Sequence, residues 1–384
     1  MSRSIRAMIA PLAAALLAAT AAPVPAYSAP SAADRHPAGK LAAIQLEGHG
    51  KDVHLHDVNR SGLVLGSLGT EASGIQPVLW RDFDNPVPID LPDGHSIQMN
   101  DRGHIIGLGN DDLDGVTWLW RPSGMTYLRW PGMLVWTTAL NDRDQLAGSL
   151  EHPAGDTLAQ PFRWQNGQFT LLEVPEGMSG HVHQVNNRGD VLGWVVDRSW
   201  STLLTVLWRG TTMTVLTPPG GGTIQPFDLN DRGQVVGGYT RLGSDAMRPF
   251  RWENGRFVDL IPGRSDAGGA AYDINESGEI AGSVDNRAVL WRAGRMIDLG
   301  VPGNTSVINE RGDVAGEYYT VVSGSDLAFR VYRWRNGRLL LSAPVIGPEV
   351  TGRVSIIDDR GRLFGRISNP NLDGGGPRVW VPAR

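Results

Sequence analysis

The chain has 384 residues with 49 Gly, 25 Pro, 13 Trp and no Cys, and a formal net charge of -5. Without cysteine it has no disulfide framework, no thiolate–zinc or iron–sulfur site, no thiol nucleophile and no lipid-bearing cysteine. The mild acidity argues against nucleic acid as the main partner, because phosphate binding draws on clustered positive charge.

Met1 to Ala29 opens with Arg3 and Arg6, continues with an apolar run from Ala7 to Ala22, and ends in small residues and prolines around Val24 to Ala29. That order of charge, apolar stretch and small residues is the signature of a secretory signal peptide. The apolar run falls short of the roughly 20 residues that span a bilayer. The expectation is therefore an exported, monomeric protein without a membrane span. Residues 30–40 read as a flexible linker, and residues 41–384 as a single domain.

From there one pattern recurs: Asn-x-x-Gly, two or three apolar residues, and a second Gly. Its copies start at Asn59, Asn100, Asn141, Asn186, Asn230, Asn275, Asn309 and Asp358, with intervals of 41, 41, 45, 44, 45, 34 and 49 residues. A Trp comes after each copy: Trp80, Trp120, Trp164, Trp208, Trp252, Trp291, Trp334 and Trp380. Periods in the forties built from short strands indicate a propeller or a related repeat architecture.

Within a copy, the residue before the Asn is always apolar and ends a first strand. The Asn side chain bonds local backbone and the Gly takes φ > 0, which makes a tight turn. A second strand carries the apolar pair, a third ends on the Trp anchor, and an Asn-Gly or Arg-Gly turn leads into a fourth. No helical periodicity is found beyond the signal segment. Four-stranded units cannot cover both faces alone, and a closed ring covers them all. The last copy stops at its third strand with Val379-Trp380-Val381, while a lone strand-like run, Leu41 to Leu46, precedes the first. The expected fold is thus an all-β, eight-bladed propeller in which the N-terminal run completes the last blade.

The N-x-x-G-x-V-x-G copies, each followed by F/L-x-W and a turn, resemble those of the bacterial extracellular HAF-repeat proteins. The likeness extends from Leu41 to Val381, with Asp144 in place of the third turn Gly and Asp358 in place of the eighth Asn. It implies a propeller-like repeat fold and no particular chemistry, so function has to be argued from a site.

In this strand order the Asn-x-x-Gly turns share one rim, which reads as structural. The variable connections share the other, where loops on a rigid scaffold carry binding. Five and three residues before each turn Asn, the chain enters the innermost strand near the channel mouth. These places hold His54, His56, His95, Trp136, His181, His183, Phe227, Tyr272 and Arg353. They are the candidate ligand-binding residues, with His54, His56 and His95 also the candidate proton shuttles or metal ligands. Two oxygen-rich strings on the same rim, Asn110, Asp112 and Asp114, and Asn369, Asn371 and Asp373, resemble the start of a calcium loop. Both lack the bidentate Glu such a loop ends on. No cofactor is expected apart from that calcium option.

The leading expectation is a secreted module that binds an extracellular glycan, peptide or protein surface on the variable rim. A propeller lyase or hydrolase using a channel-mouth His is the alternative, and a purely structural surface protein is a third reading. Removing the three histidines would abolish turnover in an enzyme, weaken binding in a binder, and leave a structural protein unchanged.

Overall fold

In the computed structural model every regular element is a β-strand; it describes residues 39–383 save 70–73, 93, 110–115, 156–157, 265–266, 324–325, 349–350 and 369–375. The signal segment and most of the linker lie outside the described residues. Among the described residues no helix is long and apolar enough to cross a membrane.

Six repeats are separate four-stranded antiparallel meanders whose strands lie side by side in chain order. The first repeat consists of Val53–Val58, Val64–Leu68, Gln76–Trp80 and Pro86–Pro88. The Asn-x-x-Gly turns form as their chemistry requires. In the fifth repeat Asn230 Oδ1 accepts the backbone N–H groups of Arg232 and Gln234, each at 3.1 Å. Gly233, with φ at 75°, donates its N–H to the Asn230 carbonyl. The second-strand Gly is needed for a different reason: a Cβ on Gly193 would run into the His181 carbonyl and the Trp208 ring. Inner and third strands therefore pack closely against the second.

The third-strand tryptophans bind successive repeats together. Trp208 and Trp80 are fully buried, and Trp291 nearly so. Trp208 donates its indole N–H to Glu173 O at 2.6 Å and Trp291 donates to Leu260 O at 3.1 Å, each at the end of the preceding repeat. In the second repeat Trp120 is only half-buried, and its neighbour Trp118 fills the interior instead. The irregular spacings also have local causes. The 34-residue interval arises because the two residues Asp285 and Asn286, both with φ > 0, join Ile280–Val284 to Arg287–Arg292. The 49-residue interval holds two long strands, Val314–Ser323 and Asp326–Arg335, and an added strand, Val345–Pro348.

The two ends of the described chain meet. Strand Gly39–Gln45 begins inside the stretch read as linker and pairs antiparallel with Gly376–Pro382, Ala42 lying opposite Val381. Its first three residues also pair in parallel with Arg338–Ser342, the fourth strand of the seventh repeat, a link not anticipated from sequence. The last two repeats therefore share one nine-stranded sheet. Phe364 and Val379 of the eighth repeat pack with Val58, Val64, Val78 and Trp80 of the first. Face-to-face packing of four-stranded meanders in chain order is the architecture of a β-propeller.

Candidate functional site

The inner strands and the Asn turns line a cavity of about 380 Å3 and, beside it, a second of about 240 Å3. All eight repeats contribute residues to them. The rim that reads as structural is thus also the one that shapes these cavities.

Two rings of hydrogen bonds run around this end. In the first, each turn Asn donates its amide to the backbone carbonyl of the next repeat's turn residue. Asn141 reaches Asn186 O at 2.6 Å, Asn186 reaches Asn230 O at 2.9 Å, and Asn309 reaches Asp358 O at 2.8 Å. In the second, the side chain after the turn Asn accepts the backbone N–H one repeat earlier at six of the junctions, while Asp359 N donates to the backbone carbonyl of Arg60. Asp101 accepts from Arg60 N and Asp142 from Asp101 N, both at 2.8 Å. Asp231 accepts from Asn187 N at 2.6 Å, and Glu310 accepts from Glu276 N at 3.0 Å. The eight places of this second ring hold six carboxylates, one Asn and the cation Arg60. Arg60 lies 3.5 Å from Asp101 and 3.6 Å from Glu310. Burial alone would lower the basicity of its guanidinium, but those carboxylates together raise it. Sequence reasoning missed this ring, although its signal stands in the repeated Asn-Asp and Asn-Glu pairs.

The two departures from the repeat are built into the lattice. Asp144 adopts φ 57° and accepts hydrogen bonds from Asn100, from His104 at 2.7 Å and from Arg121 at 2.8 Å. Burial works against its charge, yet these donors hold the carboxyl below its usual range. Asp358 has no amide to donate. Arg362 binds its carboxylate at 2.6 Å and extends to the Ser61 and Gly62 carbonyls of the first repeat.

One layer deeper, every inner strand carries a β-bulge three residues before its turn residue, at Leu55/Asp57 in the first repeat and at Val354/Ile356 in the last. A bulge re-aims side chains, so positions five and three before the Asn do not share the simple same-side relation of a regular strand. Thr138 donates to Val182 O at 2.9 Å, and Phe227 leans on Tyr272 with ring centroids 5.4 Å apart. Just below the bulges, Asp57 accepts Met99 N at 2.7 Å, and Asp273 accepts Ile308 N at 2.7 Å. Burial pushes the Asp57 carboxyl up to about 6, and burial together with the Asp228 charge drives Asp273 well above its usual range.

On the opposite rim the fourth repeat presents three near-parallel rings. His181 lies 5.7 Å and 22° from Trp194, which pairs with it across the strands, and 6.5 Å and 25° from Trp200. Trp200 is 58% exposed. Its loop is tied by Asp197, which accepts Ser201 N at 2.9 Å, Ser201 Oγ at 2.6 Å and Ser199 Oγ at 3.1 Å. Those donors, the Ser201 hydroxyl foremost, pull the Asp197 carboxyl down to about 2. Burial pushes the His181 imidazole below its ordinary value, which favours its neutral form.

The residues singled out from sequence are therefore dispersed. His54 and His56 are exposed, and His56 Nε2 lies 3.0 Å from Ser67 Oγ. His95 stands opposite Leu108 on strand Gly94–Met99. Trp136 is half-buried, with an indole N–H that has no partner among the described residues. His183 alone of the nine lines the larger cavity, its imidazole pushed down by burial. Arg353 is exposed on the last inner strand. Asn110, Asp112, Asp114, Asn369, Asn371 and Asp373 lie outside the described residues. Among the described residues no group of three or more His, Asp or Glu is placed to hold a metal ion.

No protein-family model and no curated protein matches the chain. Among solved structures it resembles the β-propeller domain of the Trilobed protease from Pyrococcus furiosus, at 11% identity over 76% of this chain and 98% of that one, with a TM-score of 0.48. A Mycobacterium tuberculosis puromycin-hydrolysing peptidase matches at 10% identity over 86% of this chain, with a TM-score of 0.49, and the chain spans 60% of its length. YCF48 bound to a D1 peptide matches at 10% identity over 94% of this chain and all of that one, with a TM-score of 0.35.

Proposed function

We propose that this is an exported binding module: an eight-bladed propeller closed by its N-terminal strand, holding an extracellular ligand on the rim of variable loops. Closure is supported by an equivalence between repeats. Trp80 donates to Glu47 O, just after strand Gly39–Gln45, as Trp208 donates to Glu173 and Trp291 to Leu260 after true fourth strands. Strand Gly39–Gln45 thus serves as the fourth strand of the blade before the first.

The observation that carries the binding reading is the stack of Trp194, His181 and Trp200. An exposed indole at left-handed φ (58°) is a strained choice for a bulky residue. It persists because Asp197 fixes the loop, so the aromatic face is preorganised before any ligand arrives. The resemblance to HAF-repeat proteins and the signal-like first 29 residues fit an extracellular setting for it.

The test is a biosensor panel of extracellular glycans and peptides over the immobilised chain. A Trp200→Ala, His181→Ala variant should lose binding at least tenfold while still unfolding in one cooperative transition, which its melting curve checks. Binding that survives this change and is lost in Asp231→Asn would put the ligand at the Asn-turn end instead.

A further inference from the structure

We infer that the rim stack is a saccharide subsite, with the outer face of Trp200 receiving a pyranose ring. This rests on the reading of that rim as the binding face and names the chemistry it selects. Three near-parallel rings at offset-stacking separations form an aromatic terrace whose last member is open to solvent. A pyranose presents C–H groups to such a face and hydroxyls at its edge. The residues beside Trp200 answer that edge: the Ser199 and Ser201 oxygens, whose protons go to Asp197, are left to accept from sugar hydroxyls, and the Asp197 carboxylate is a charged acceptor beside them.

A peptide is the weaker fit, for a reason visible in the sheet. Peptides in extended form gain affinity by adding to a free strand edge. Strand Val191–Asp197 lies between Met178–Val185 and Leu203–Arg209, and Leu203–Arg209 lies between it and Thr212–Val215. The strands that flank Trp200 are therefore paired on both sides, and the one unpaired edge near the stack belongs to Met178–Val185, beneath His181; around Trp200 the site offers rings, hydroxyls and one carboxylate.

The full chain is titrated by calorimetry with hexasaccharides of β-1,4-glucose, β-1,4-N-acetylglucosamine, β-1,4-mannose and α-1,4-galacturonate, and with decaproline as the peptide probe. At least one hexasaccharide should bind and shift tryptophan fluorescence. Trp200→Ala should weaken it by about tenfold, and Trp200→Phe, which keeps a ring, by no more than about threefold. Trp200 is exposed, so both variants should melt as the parent does, and their melting curves check this. Saccharide binding that Trp200→Ala leaves intact overturns the inference, as does binding of no hexasaccharide. Decaproline bound in a Trp200-dependent way, with no saccharide bound, overturns the sugar and leaves the rim reading standing. If neither probe class shows Trp200-dependent binding, both fall.

Discussion

At the scale of single residues, the repeat is a set of chemical roles that more than one residue can fill. The turn Asn supplies an acceptor to its own loop and a donor to its neighbour, and a residue four places on commonly takes up its amide, as Gln145 does at 2.7 Å and Gln234 at 2.8 Å. Asp358 keeps the acceptor role, with Arg360 N at 3.0 Å and Arg362 N at 2.8 Å, and gives up the donor role to Arg362. Sequence shows the Asp and the Arg but not that they substitute jointly for one amide, because the carbonyls they serve lie some 300 positions away. Arg362→Gln alone should leave a fully buried carboxylate without its cation and cost about 3–5 kcal/mol in urea unfolding. Asp358→Asn combined with Arg362→Gln rebuilds the pair seen at Asn141 and Asn230. It should return to within about 1 kcal/mol of the parent, since each remade hydrogen bond is worth about that much. A double variant as unstable as the single would refute the substitution of roles.

At the scale of the element, the four-strand pattern was legible because alternation, turn glycines and the Trp are local properties. The bulge in each inner strand was not, since a bulge is defined only by what the neighbouring strand leaves unpaired. Its consequence is that the two members of a His-x-His pair do not face one ligand: His181 joins the rim stack while His183 lines the cavity. The acids just beyond the bulge reach the next repeat and become buried there, which sequence spacing does not reveal. For Asp57 that burial makes stability depend on pH. Its folded pKa, raised from 3.8 to about 6, means that the folded chain holds a proton the unfolded chain has released. The associated stabilisation is complete below about pH 4 and is lost as pH rises through about 6. Asp57→Asn keeps an acceptor for Met99 N and removes the titration. The difference in urea midpoint between parent and variant should therefore shift in the variant's favour from pH 4 to pH 7. A difference that stays flat across that window would show that Asp57 is not held protonated.

At the scale of the whole molecule, the pairing of the first strand with the last is a long-range contact that local signals still predicted, through an unfinished last repeat and an orphan first strand. What they did not predict is that this strand would touch two repeats, pairing in parallel with Arg338–Ser342 as well as antiparallel with Gly376–Pro382. That double pairing ties the seventh repeat, the eighth and the chain's first strand into one sheet, so unfolding of either end should release both. Because the protein has no cysteine of its own, the junction can be tested with one introduced pair. Ala42 and Val381 are directly opposed antiparallel partners, and such partners have Cα atoms about 4.5–5.5 Å apart, inside the range a disulfide spans. Ala42→Cys with Val381→Cys should oxidise to a monomeric cross-linked form that migrates faster without reductant. Closing a loop of nearly the whole domain restricts the unfolded chain, an effect of about 6 kcal/mol in the chain-entropy picture. The oxidised protein should accordingly melt several degrees higher than the reduced one. Failure to cross-link, or cross-linking only between molecules, would mean that the ends do not meet in solution and that the ring is open.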